Sequence, residues 1–218
     1  MNPVGILGGM GPEATILLMQ KVLAAVPVKD DADHVPLIVH QNPQVPSRIR
    51  ALIEGTGKDP GPVIAKMARD LQAAGAQALA MPCNTAHHYA GALPEDLPFL
   101  NMIDLTGAAL AGKRVGMLAS PAVRQVGVFE ATFEENGIDA IYPDDDSPVL
   151  AIIRAVKAGQ GGDVHALADI AEDLMQRADH ICLACTELSL LARDLPNRIP
   201  WTDSLDCLTD RIIDFART

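Results

Sequence analysis

The sequence predicts an α/β fold made of two similar three-layer α/β/α domains with parallel sheets, with a ligand site in the cleft between them. Three observations carry this. Short apolar runs alternate with longer amphipathic stretches along all 218 residues, the pattern of parallel strands covered by helices. The chain also repeats itself weakly: VGILGG at 4–9 resembles VGMLAS at 115–120, and MPCNT at 81–85 resembles LACTE at 183–187. In each half, finally, an apolar run ends in a cysteine just ahead of a helix-like segment. Ligands of open α/β sheets bind outside the carboxyl ends of such strands.

Taken in order, the first half predicts strands near 3–7, 36–41, 77–82 and 99–103, as short apolar runs bounded by turn residues. Helices fall near 12–26, opened by Pro12, then 60–74 and 84–91. The second half predicts strands near 113–118, 138–142 and 179–184, and helices near 122–136, 147–158 and 163–177. The tail 203–217 reads as one more amphipathic helix, folding back onto the first half. The domains are therefore 1–103 plus 207–218, and 104–206. The repeat pairs are offset by 111 residues (4 to 115) and 102 (81 to 183), so the second half lacks a short segment. The expected place for it is the loop region 41–62.

Composition narrows the function. Hydrophobic residues make up 49% and charged residues 21%, which implies a globular chain with a real core. Aromatics at 3% supply no stacking platform for single-stranded nucleic acid. The net charge of −11, without a basic run, disfavours nucleic acid and anionic membrane as partners. An anionic small molecule remains open, because a few local cations override the net charge inside a pocket. The opening MNPVGILGGMGPEAT lacks a signal-peptide core, and no apolar run has transmembrane length. Four cysteines without a disulfide framework fit the cytoplasm.

The motifs carry the chemistry. Cys182 and Cys185 have Cys-x-x-Cys spacing, but Leu183 and Ala184 place the pair in a buried strand, and no second such pair accompanies it. No metal site is expected, and Cys207 in the tail reads as core. GMGPEA at 9–14 formally fits a dinucleotide fingerprint after a strand. However, Pro12 removes an anion-binding N–H, and Glu13 puts negative charge where a pyrophosphate would sit. The better reading is a tight glycine turn that brings N–H groups and Met10 close to a small anion. Cys83 and Cys185 are different. Each sits at a strand end under the free N–H groups of a following helix, where thiolate is favoured. Two such thiols, one per half, suit two acid/base groups facing one substrate from opposite sides.

GILGGMGPEAT (5–15), QNPQVPSR (41–48), MPCNTAH (81–87) and LACTEL (183–188) together resemble the aspartate/glutamate racemase family, and most its aspartate racemase branch. The resemblance runs over nearly the whole chain. It implies a cofactor-independent racemase of two α/β domains related by a pseudo-twofold axis, with the active site in the cleft between them, one catalytic cysteine from each, and assembly commonly as a homodimer. Carried over by residue, Cys83 and Cys185 match the catalytic cysteines. Asn84 and Thr85 match groups that bind the substrate carboxylate, and Thr186 and Glu187 match the corresponding positions beside the second cysteine. Met10 matches a substrate contact in the glycine turn. Arg48 and Lys157 match the cations that hold a substrate carboxylate. One segment departs from the family pattern: Ala-Thr-x-Gly-Thr is replaced by ASPAVR at 119–124, where Ser120 keeps one hydroxyl but Pro121 and Ala122 remove the glycine and the next polar group.

The reaction implied is interconversion of the L and D forms of an acidic amino acid, aspartate before glutamate. One thiolate takes the α-proton while the other thiol returns one to the opposite face. Asymmetric ionisation is required, and local groups would impose it: His87 or His88 beside Cys83, Glu187 and Asp203 beside Cys185. The other readings are a decarboxylase or cis–trans isomerase of a dicarboxylic acid in the same superfamily, and a non-catalytic amino-acid-binding protein. The presence of both cysteines weighs against these.

Overall fold

In the computed structural model, which describes residues 1–218, the chain forms two four-stranded, all-parallel sheets. The first is built from β1 (Val4–Gly8), β2 (Leu37–Gln41), β3 (Ala78–Ala80) and β4 (Phe99–Leu100), in the order β2-β1-β3-β4. The second uses β5 (Arg114–Ala119), β6 (Asp139–Ile141), β7 (His180–Ala184) and β8 (Trp201–Asp203), in the order β6-β5-β7-β8. The two orders are the same topology, so each strand of one sheet has a counterpart in the other. Every residue of β1 is buried, as expected for a central strand with both faces covered.

Helices cover both sheets. In the first half, α1 (Pro12–Ala25) and the C-terminal helix of the chain, α9 (Ser204–Arg217), share one core with β1 and β3: Val4, Ile6 and Leu18 meet Leu205, Leu208 and Ile212. The opposite face packs under α3 (Gly61–Ala73), whose Ile64, Met67, Ala68 and Leu71 repeat at helical spacing. The predicted return of the tail to the first sheet is thus what α9 does. In the second half, α7 (Ser147–Lys157) and α8 (Val164–Met175) cover one face, with Val149, Ile153, Leu167 and Leu174 against Ile181 and Leu183. Phe129 and Phe133 fill the other, against Val115 and Met117.

Several sequence expectations are corrected. The predicted helix 122–136 is two pieces, α5 (Pro121–Gln125) and α6 (Glu130–Glu135), because the chain turns at Gly127 with φ 64°, a left-handed conformation. Two short helices, α2 (Arg48–Leu52) and α4 (Met102–Ala109), and strand β8 fall where none was expected. The helix expected at 84–91 is a run of 3-10 turns over Thr85–Ala92. The shorter second half also gets its deletion elsewhere. Val4 pairs with Leu37, 33 residues on, whereas Val115 pairs with Ala140, only 25 on. The missing residues therefore lie between the first and second strands of the repeat, not opposite 41–62. From the second strand to the third the halves are nearly equal in length. In the first half that stretch carries the loop and α2 that hold Arg48, and in the second it carries α7 with Lys157.

Candidate active site

The loops at the carboxyl ends of both sheets converge on one cavity of about 450 Å³. All ten residues expected at the site line it: Met10, Arg48, Cys83, Asn84, Thr85, Ser120, Lys157, Cys185, Thr186 and Glu187. The two thiols arrive from corresponding places, just beyond β3 and just beyond β7. Cys83 is 7% exposed and Cys185 6%, so each is almost wholly enclosed yet touches the cavity.

The glycine turn forms one wall. Gly9 has φ 91°, and a Cβ there would come within 2.4 Å of the Asn42 backbone, so no side chain fits. Thr15, one turn into α1, accepts the Gly9 N–H at 2.9 Å and donates to the Gly11 carbonyl at 3.3 Å, fixing the turn from within. The Met10 carbonyl then accepts from Arg48 Nη2 at 3.0 Å, while Arg48 Nη1 donates to the Pro46 carbonyl at 3.1 Å. The guanidinium is held rigidly by backbone, and its buried Nε has no partner. Nε and one hydrogen of Nη2 remain unspent, donors of the kind a carboxylate accepts.

Cys185 stands beside a charge pair. Its Sγ donates to Glu187 Oε2 at 3.0 Å, and Lys157 Nζ lies 3.1 Å from Glu187 Oε1. The lysine contact is one of charge rather than a directed hydrogen bond, since Oε1 has no hydrogen-bond partner. Burial, reinforced by the Glu187 carboxylate, pushes the Cys185 thiol well above its usual range; the Lys157 charge opposes this and does not reverse it. Burial disfavours the charge on Lys157, but Glu187 and the two cysteines outweigh it and hold the ammonium above the ordinary lysine range. Cys185 is thus built as a neutral thiol. Cys83 Sγ makes no hydrogen bond to a carboxylate.

The histidines play another part. The His87 ring is buried behind Cys83. Its Nε2 accepts the Met102 N–H at 3.2 Å, so Nδ1 carries the proton and donates to the Cys83 carbonyl at 2.9 Å. Both ring nitrogens are spent on backbone, and burial pulls the pKa down to about 4. His87 is a neutral brace, and the same bond explains the 3-10 geometry: the Cys83 carbonyl takes the Ala86 N–H and this ring. His88 is exposed, edge-on to Tyr89. Neither ring assists a thiol. Asp203 is also away from Cys185. It caps α9 through Leu205 N–H at 2.9 Å and accepts from Ser189 Oγ at 2.7 Å. The turn after Cys185 is 3-10 (Leu188–Leu190) rather than a helix, so neither thiol has a long helix dipole behind it.

Asn84 differs from the expectation in a useful way. Its Nδ2, the donor a carboxylate would want, is given to Ser204 Oγ at 3.0 Å. The free atom is Oδ1, buried without a partner. Thr85 Oγ1 lies 3.5 Å from Ser120 Oγ, and Thr186 Oγ1 donates across the cleft to the Pro82 carbonyl at 3.3 Å. Sequence reasoning missed Val45, Ile49 and Ile153, which also line the cavity. The spacing of Ile153 and Lys157, one helical turn apart on α7, was the signal for that wall.

The sequence and the fold are both similar to those of known proteins. Residues 7–212 match the Asp/Glu/Hydantoin racemase family. The broad specificity amino-acid racemase RacX of Bacillus subtilis (strain 168) is 27% identical over 217 residues, 94% of each chain. The structure of Picrophilus torridus aspartate racemase superimposes with a TM-score of 0.88 at 30% identity, over 100% of this chain and 95% of that one. A glutamate racemase from Francisella tularensis shares the fold, with a TM-score of 0.68 at 14% identity over 98% and 80% of the two chains.

Proposed function

Because this chain belongs to the Asp/Glu/Hydantoin racemase family and is a racemase, we propose that it interconverts the L and D forms of an acidic amino acid, aspartate first, without a cofactor. Cys83 and Cys185 are the two bases. The observation that carries this is the arrival of both thiols in one cavity from equivalent strand ends of two topologically identical sheets. A substrate Cα held between them presents its hydrogen to one sulfur and its opposite face to the other.

The surrounding groups divide the substrate. The unpaired Asn84 Oδ1 is an acceptor, which suits the α-ammonium. Hydroxyls of Thr85 and Ser120, with N–H groups of the two turns, suit the α-carboxylate, whose charge grows as the α-proton leaves. The second carboxylate goes to the guanidinium of Arg48 and to Lys157. Formal charges of Arg48 and Lys157 offset Glu187 and Glu13 at the cavity wall, so an acidic substrate meets no excess of negative charge despite the net −11. In the resting enzyme Cys185 is the proton donor, held by Glu187, and Cys83 takes the α-proton.

Residues 1–103 with 207–218 form one domain of the proposed enzyme and 104–206 the other. The packing of α9 on the first sheet supports that division. A homodimer is supported by Ile16, Met19 and Leu23, large apolar side chains exposed at helical spacing on α1, which flank an apolar groove of about 440 Å³. All four cysteines are free thiols, which suits the cytoplasm. No helix is long and apolar enough to cross a membrane.

The test is incubation with L-aspartate, L-glutamate and neutral L-amino acids in deuterated water. The reading expects deuterium at Cα and loss of optical rotation, fastest with aspartate. Faster turnover of a neutral amino acid would overturn the substrate, and absence of exchange with every amino acid would overturn the reaction.

A further inference from the structure

A single buried hydroxyl ties the two catalytic turns together. Ser204, at the junction of β8 and α9, is 0% exposed. Its Oγ donates to the Leu183 carbonyl at 3.0 Å and accepts from Asn84 Nδ2 at 3.0 Å. Leu183 lies two residues before Cys185, and Asn84 follows Cys83 directly. The serine therefore joins the strand that delivers one thiol to the turn that carries the other.

The direction of these bonds matters more than their strength. A serine hydroxyl has one proton, and here it goes to Leu183. Toward Asn84 the oxygen can only accept, which selects the amide orientation with Nδ2 inward and Oδ1 left over. Without this partner either end of the amide could face the cavity, and the two ends have opposite preferences for an ammonium and a carboxylate. Asp203 secures the same junction by accepting from Ser189 Oγ and Leu205 N–H.

We propose that Ser204 is a positioning residue that acts through Asn84, setting which end of its amide meets the substrate and coupling the two cysteine turns. This rests on the racemase reading for its consequence in turnover, though not for its consequence in structure. Two measurements test it separately. The first follows the Asn84 side-chain NH₂ resonances by ¹⁵N NMR in the substrate-free protein. In the parent they should exchange slowly with solvent, and in Ser204→Ala they should exchange much faster. Equal exchange in the two proteins overturns the proposal, whatever reaction the enzyme performs. The second is a cycle read as α-deuterium incorporation. Ser204→Ala should lower kcat/KM by about tenfold or more, within the loss that a 1 Å misplacement can cause. In the Asn84→Ala background the same change should cost less than about twofold, since the group it positions is gone. Any loss of thermal stability should appear in both backgrounds. An equal fall in kcat/KM in both backgrounds, or no fall in either, overturns the proposal. Should Ser204→Ala not fold, Ser204→Gly, which also removes the hydroxyl, takes its place in both measurements.

Discussion

The Cys83 turn and the Cys185 turn occupy equivalent places in the two halves, yet their surroundings are charged differently. Beside Cys185 stand Glu187 and Lys157, and the carboxylate takes the thiol proton as a hydrogen bond. Behind Cys83 stands a neutral imidazole that touches only its backbone. In the mechanism proposed above, topology supplies a group on each face of Cα. The side chains around the two sulfurs differ: a carboxylate accepts from the Cys185 thiol, and none accepts from Cys83.

The comparison is broken most severely by removing either thiol. Cys83→Ala or Cys185→Ala should lower racemisation by about 10³-fold or more, within the range of lost general acid–base catalysis. Each single variant should still exchange the α-proton of one enantiomer. Near-parent turnover by either variant, measured by circular dichroism of the amino acid, would refute two-base catalysis.

Glu187→Gln sharpens the comparison. It removes the carboxylate charge that adds to burial in keeping Cys185 neutral, but leaves the side-chain volume. The equilibrium constant of a racemisation is one, so kcat/KM must stay equal in the two directions. The expected signs are a fall of about tenfold in kcat/KM, or ~1.4 kcal/mol, and faster alkylation of Cys185 relative to Cys83 in the same sample. An unchanged ratio of labelling would separate Glu187 from the ionisation of Cys185.

Arg48 has no counterpart in the second half, where Lys157 occupies the matching stretch. Arg48→Ala should lower kcat/KM for aspartate at least about tenfold, or ~1.4 kcal/mol. Arg48→Lys should recover little, because a lysine offers no side-on edge. Full activity of the lysine variant would leave Arg48 as a structural clamp on the Met10 and Pro46 carbonyls.

The smallest effect concerns the brace behind Cys83. His87 is pulled down to about 4 from an ordinary 6.5. Between those values the unfolded chain holds a proton that the folded chain lacks, so its share of stability is present at neutral pH and is lost as pH falls. Asp203, pushed up to about 6 from 3.8, has the opposite sign: its share is full below about 3.8 and is lost as pH rises through about 6. Comparing the parent with His87→Gln isolates the histidine, since Asp203 is common to both. The Tm advantage of the parent at pH 7 should shrink at pH 4.5, and a constant difference would contradict this assignment.

Much of this was legible in the sequence, for physical reasons. A strand that ends in a cysteine before a small polar turn projects that thiol beyond the sheet, so Cys83 and Cys185 could be named from position, and Met10 from the glycine turn; the other seven expected residues came through the resemblance of the motifs that carry them. Charge placement was less legible. His87 sits four residues from Cys83 and looks like its partner, but whether a ring meets Sγ or the carbonyl depends on local 3-10 geometry and on Met102, fifteen residues away. Asp203 is close to the second cysteine turn through Ser189, yet β8 directs its carboxylate into the α9 cap. The strand β8 itself escaped notice because three residues, Trp-Thr-Asp, carry too little periodicity to read. Gly127, a single residue with φ 64°, split a helix whose apolar pattern runs on through it.

Two thiols in equivalent places should differ in reactivity, because burial and Glu187 hold Cys185 as a neutral thiol. The most direct measurement is time-resolved alkylation of the substrate-free protein by iodoacetamide at pH 7, with each cysteine followed by peptide mass mapping and the experiment repeated with excess D,L-aspartate. Cys83 should be labelled first, Cys185 should lag well behind it, and aspartate should protect both. Labelling of Cys185 as fast as or faster than Cys83 would contradict it.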